Sequence, residues 1–183
     1  MAKYLTPLVI EELATARNII YAERTKIWSK YGVDLLDTDS LSSIQIYEVV
    51  TKYDPDFNIN FARNGEDGIS KGVLIEQKTS KIEKASRKAN FMFHALGNIF
   101  HDRYVFCIRM KKDLELIRLY DISDVENVEK VKNEMIRLKE EYLVKGFRKY
   151  DGIFISEDFF LANIKFHSGA TVINGCVVYK DML

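Results

Sequence analysis

The dipeptide Lys71-Gly72 stands between two short runs, Gly68-Ile69-Ser70 and Val73-Leu74-Ile75, that read as strands. A two-residue loop of this kind commits the chain to a β-hairpin and fixes its register. Ser70 then faces Val73 and, counting outward, Asp67 faces Glu76. Directly opposed residues share a face, with Cβ atoms about 4.5–5.5 Å apart. Lys78 lies two residues beyond Glu76 and belongs to the same face. Two carboxylates and an ammonium therefore converge. Like charges opposed across strands are destabilising, so a sequence that accepts them points to a bound cation.

The 183 residues suit a single domain, 1–183, with a full core. At 47% hydrophobic and 30% charged the chain reads as globular, not disordered. Lys plus Arg (27) equals Asp plus Glu (27), which argues against a non-specific nucleic-acid binder held by overall charge. A specific DNA enzyme remains compatible, because charge can be segregated between faces. Cys107 and Cys176 sit in apolar, strand-like runs and read as buried free thiols of a reducing cytoplasm. Glu11 and Glu12 interrupt the place where a signal peptide would be apolar. No apolar run of about 18 residues suggests a membrane span.

Thr6-Pro7 reads as an N-cap and first turn, with Val9, Leu13, Ala16, Ile20 and Ile27 at helical spacing up to Gly32. A second helix is expected from Leu41 to about Lys52, ended by Asp54-Pro55. Phe57 to Phe61 alternates as a strand, Asn64-Gly65 is a turn, and the hairpin follows. Ser80-Lys81-Ile82-Glu83 has the form of a capping box, predicting a basic helix that ends near Leu96-Gly97. Strands are expected at Arg103–Met110 and Leu114–Tyr120. A third long helix follows Ser123-Asp124-Val125-Glu126, with a stripe at Val125, Val128, Val131, Met135, Leu138 and Tyr142. Gly152 to Ile155 reads as a strand extending toward Phe160. Ile164–His167 and Val172–Tyr179 complete the chain, separated by Ser168-Gly169 and interrupted at Asn174-Gly175. Trp28, Phe91 and Phe93 are expected in the core. The order predicts an α/β (α+β) fold, a central mixed sheet flanked by helices.

Phosphodiester hydrolysis needs a hard cation on oxygen ligands and a nearby cationic group to stabilise developing charge. Asp67 and Glu76 are the candidate metal ligands, with the backbone carbonyl of Gln77 as a further one. Lys78 would contact the water and the phosphate. An acid, a short hairpin, Glu-x-Lys on an apolar strand and a following capped helix resemble the PD-(D/E)XK nuclease superfamily, best known from type II restriction endonucleases. The resemblance covers Phe57 to Lys88 and implies a Mg²⁺-dependent DNA endonuclease, with the strand pair at the edge of a DNA cleft. Mn²⁺ would be accepted by the same oxygen ligands. Pro55-Asp56 is the literal Pro-Asp, but the hairpin register favours Asp67 over Asp56 and over Glu66, which alternation points to the other face. Glu48, with Glu23 and Glu12 behind it, is the candidate for an additional helical acid.

Ser80, Lys81, Lys84, Arg87 and Lys88 on the expected basic helix are candidates for DNA contact, the helix N-terminus beside the site for a phosphate. Lys145, Arg148 and Lys149 form a second basic cluster. No Cys/His spacing resembles a zinc site, and no nucleotide-binding or esterase motif is present. One such site cuts one strand, so cleavage of double-stranded DNA implies a homodimer, or a small cleaving subunit beside a larger recognition subunit. A repair or recombination nuclease of the same fold, and a non-catalytic binding module in which the acidic pair is a salt-bridge set, are the alternatives.

Overall fold

In the computed structural model, Lys71 and Gly72 both have positive φ (50° and 82°), and Ser70 pairs with Val73, as the hairpin reading requires. The structure describes residues 7–31, 34, 38–60, 66–94, 101–145, 152–167 and 169–182. Thr6, Gly32, Asn64-Gly65, Leu96-Gly97, Arg148, Lys149 and Ser168 lie outside the described residues. The chain divides into two units, Met1–Ile44 and Gln45–Leu183.

The first unit holds α1 (Pro7–Tyr31) and the start of α2 (Thr38–Val50). Arg24 grips Asp34, its Nε 2.7 Å from Oδ1. Trp28, expected in the core, is 53% exposed. A unit built from one long helix and part of another has little apolar surface to bury an indole against.

In the second unit the strands are β1 (Asn58–Ile59), β2 (Gly68–Ser70), β3 (Val73–Ile82), β4 (Asn90–His94), β5 (Arg103–Met110), β6 (Leu116–Ile122), β7 (Gly152–Ser156), β8 (Ala170–Ile173) and β9 (Cys176–Lys180). Seven form one mixed sheet in the order β1-β2-β3-β5-β6-β9-β8, with β3/β5 and β6/β9 parallel. This is the expected α+β class with a mixed sheet. On one face α3 (Val125–Val144), α4 (Glu157–Asn163) and the β4–β7 ribbon cover Tyr104, Phe106, Ile108, Tyr120 and Ile122. On the other, Ile46, Val49 and Val50 of α2 cover Ile75, Val105, Cys107, Leu119 and Val178. Both cysteines are free and buried, as expected, and burial raises both thiols. No helix among the described residues is long and apolar enough to cross a membrane.

Several elements differ from expectation. No helix starts at Ser80: β3 continues to Ile82, paired with β5 as far as Met110. The capping-box pattern loses because Ile82 buries its side chain in the core beside Ile108, which only an extended chain allows here. Phe91 and Phe93 are buried and Met92 exposed, a period-2 pattern that makes β4 a strand. The strand at Gly152 stops at Ser156, whose hydroxyl accepts from the Phe159 N–H and caps α4, so Phe160 is helical. Residues 164–167 form no strand. In α3 the cap is Asp124, and Val125 is exposed. Asn174-Gly175 (φ 50° and 80°) is a second tight hairpin turn.

Glu157 ties the helical face together. Its carboxylate accepts from the Ala89 N–H, the Tyr120 hydroxyl and Arg118. Burial alone would raise this carboxyl, yet the hydrogen bonds from Tyr120, Arg118 and Ala89 outweigh it and hold the group below its ordinary 4.5. A depressed carboxyl stabilises the fold fully above its unfolded value, and this contribution is lost as the pH falls through the folded one. Urea unfolding between pH 7 and pH 3 is expected to show a shallower loss of stability below pH 4.5 in Glu157→Gln than in wild type.

Candidate active site

The site is built where β2 runs out beside β3. The regular ladder ends at Gly68 opposite Ile75, and the Asp67 N–H donates to the Ile75 carbonyl at 3.0 Å. Asp67 and Gly68 thus share one partner, a bulge in place of the expected pairing of Asp67 with Glu76. Gly68 is required there, since a Cβ would lie 2.8 Å from the Asn58 carbonyl oxygen. The bulge aims the Asp67 carboxylate at β3, where it accepts from the Gln77 N–H at 2.7 Å. Within a strand the N–H and C=O of one residue point to the same side. The Gln77 carbonyl is therefore turned toward Asp67 as well.

Glu76 and Lys78 point to the face of β3 that also carries Tyr104 and Phe106 of β5, their register partners. They form a direct ion pair, Lys78 Nζ to Glu76 Oε1. Their side chains are 18% and 24% exposed, far from a solvated sheet face. The Lys78 ammonium lies over the Phe93 ring, 5.6 Å from its centre, within cation–π reach. β3 is internal to the sheet, Val73 and Leu74 are exposed, and the charged residues fall mid-strand. Burial raises the Asp67 carboxyl above its ordinary range, with Glu76 adding to it. The Gln77 N–H, Lys78 and His101 pull the other way and do not cancel it.

One member of the cluster escaped sequence reading. His101, just ahead of β5, places Nε2 3.3 Å from Glu76 Oε2, and its side chain is 7% exposed. Its backbone N–H donates to the Tyr104 hydroxyl at 3.2 Å, and the two rings meet edge to face. Burial pushes the Tyr104 hydroxyl up to about 12, so it stays protonated. The parallel pairing of β3 with β5 brings His101 here, and that long-range pairing leaves no local trace in the sequence.

The other candidates lie elsewhere. Asp56 is exposed and faces Lys71 in the hairpin turn at 3.6 Å, at the far end from Asp67. Glu48 is exposed on α2, and its carbonyl accepts from Asn174 between β8 and β9, at the opposite edge of the sheet from β2. Lys84, Arg87 and Lys88 sit on the connection after β3, and Ile82 is already six residues, about 20 Å, beyond Glu76. Lys88 faces Asp158 at 3.6 Å, and Arg118 holds the Arg87 carbonyl at 2.8 Å. Because β3 runs through Ser80, the helix N-terminus expected there is not formed. Ser80 and the exposed Lys81 belong to β3 itself, and Lys145 caps α3. Among the described residues no three His, Cys, Asp or Glu side chains make a ready metal cage. A cation here would be held by Asp67, Glu76 and the Gln77 carbonyl, with water completing its shell. The chain matches no protein-family model and no curated protein.

Proposed function

We propose that this chain is a Mg²⁺-dependent DNA endonuclease of the PD-(D/E)XK type, acting on double-stranded DNA as a type II restriction endonuclease. The observation that carries the reading is the convergence of Asp67, Glu76 and Lys78 at the bulged end of the hairpin, with Asp67 raised by burial and by its neighbour's charge. The donor set is all oxygen, and Mg²⁺ is commonly held by one or two carboxylates with waters and substrate phosphate oxygens. Mn²⁺ suits the same donors. A bound cation would neutralise charge building on the phosphate and generate a nucleophilic water. Asp67 and Glu76 supply the anionic cradle. Lys78 over the Phe93 ring supplies a positive charge for the phosphate and the attacking water. Cutting both strands calls for a second copy, or for a larger subunit that reads the sequence; the setting is cytoplasmic.

The Glu76–Lys78 ion pair favours a second reading, a binding module in which these residues are structural. A repair nuclease would use the same chemistry. The deciding experiment is incubation of plasmid and genomic DNA with Mg²⁺, comparing wild type with Glu76→Ala. Discrete fragments that vanish in the variant are expected. Nicked circles would identify a cleaving subunit without its partner. No cleavage in Mg²⁺ or Mn²⁺, with no metal binding, would establish the structural reading.

A further inference from the structure

We propose that His101 is a positioning residue for Glu76, holding its carboxylate in the orientation that accepts a divalent cation. This rests on the reading of Glu76 as a metal ligand. The imidazole is buried and fixed: the His101 backbone is hydrogen-bonded to Tyr104 and the ring packs against the Tyr104 ring. Nε2 lies 3.3 Å from Glu76 Oε2, while Nδ1 is buried with no hydrogen-bond partner among the described residues.

A neutral imidazole carries one N–H. Placed on Nδ1, that hydrogen would be a buried donor with nothing to bond, and two lone pairs would face each other across the Nε2–Oε2 gap. A buried donor left without a hydrogen bond is disfavoured. Placed on Nε2, it sits on the nitrogen that lies 3.3 Å from the carboxylate and leaves only a bare lone pair inside. Of the two neutral tautomers, Nε2–H is the one that leaves no donor unpaired. Glu76 is then held from two directions, Oε2 by His101 and Oε1 by Lys78. Each oxygen keeps a lone pair for a cation. Contacts of this type are often long in an unliganded site and tighten on binding.

The test is Mn²⁺ binding to the full chain without DNA, followed by electron paramagnetic resonance, in wild type, Glu76→Ala, His101→Leu and His101→Gln. Loss of an outer partner of a metal ligand typically weakens metal affinity about 10–100-fold. His101→Leu is expected to show that loss, and His101→Gln, which keeps an N–H near the Nε2 position, to recover most of it. Equal weakening by both, or no weakening by Leu while Glu76→Ala abolishes binding, overturns the role of His101 and leaves the metal reading intact. Wild-type binding that Glu76→Ala does not change overturns both. The imidazole ¹⁵N spectrum of wild type needs no variant to fold. Protonation at Nε2 is expected, and protonation at Nδ1 overturns the proposal.

Discussion

Replacing Arg103 by methionine is expected to remove about 3–5 kcal/mol of stability, the cost of leaving buried charges without their partner. The guanidinium, 8% exposed, donates from Nε and Nη2 to the two oxygens of Asp121 at 2.8 and 2.6 Å, and from Nη1 to Asp54. The Tyr53 hydroxyl also donates to Asp121, at 2.6 Å, and Ser70 donates to Asp54 at 2.8 Å. Burial alone would lower the Arg103 guanidinium, but Asp121 and Asp54 drive it well above its ordinary value. In Arg103→Met the two carboxylates would lose their shared cation and keep only the Tyr53 and Ser70 hydroxyls and, at Asp54, the Asp56 backbone N–H. A domain of this size has about 5–15 kcal/mol to lose, so the variant should sit close to its unfolding limit. The network joins β5, β6, the segment after α2 and, through Ser70, the hairpin that carries Asp67. Urea unfolding should show a fall in the midpoint with the slope unchanged. A loss under about 1 kcal/mol would mean that water, not Arg103, satisfies the two aspartates.

Legibility in the sequence followed the range of the interactions. The hairpin register, α1, α3, β5 and the α+β class were readable because turn chemistry, capping and periodicity are local. The Ser80 segment was misread because a local capping pattern competed with a tertiary demand: Ile82 and the β5 ladder hold the chain extended. Phe91 and Phe93 carried the correcting signal in their spacing of two. At the site, Glu76 and Lys78 were readable from alternation along one strand. The Asp67 bulge was not, because it depends on Gly68 meeting the Asn58 carbonyl of a different strand. His101 was beyond reach for the same reason, since it is brought to Glu76 by parallel pairing across 25 residues of sequence. The Arg103 network was likewise hidden: Asp54 was legible as a helix stop, not as an ion-pair partner 49 residues away.

Asp67→Asn is expected to separate function from stability. The asparagine keeps an oxygen to accept the Gln77 N–H and removes the charge. A carboxyl raised on folding destabilises the folded state above its folded value, and the penalty disappears as the pH falls through that value toward the unfolded 3.8. At pH 7 the variant without bound metal should therefore be as stable as wild type or more so, and the difference should vanish in acid. Mg²⁺-dependent cleavage should fall on the order of a hundredfold or more, the usual scale for removing one preorganised electrostatic element. Lys78→Met should behave differently. It strips Glu76 of its ion pair while leaving the carboxylate near His101, so cleavage falls on the same scale and stability falls with it. Thermal melts with and without Mg²⁺ supply the contrast, since a cation bound to the folded state alone raises its stability. Wild type should gain from Mg²⁺ and Asp67→Asn should not. If Asp67→Asn instead loses about 1 kcal/mol or more, the worth of an ordinary hydrogen bond, and keeps its cleavage, then Asp67 is a backbone cap for β3 and the acid of the site is another residue.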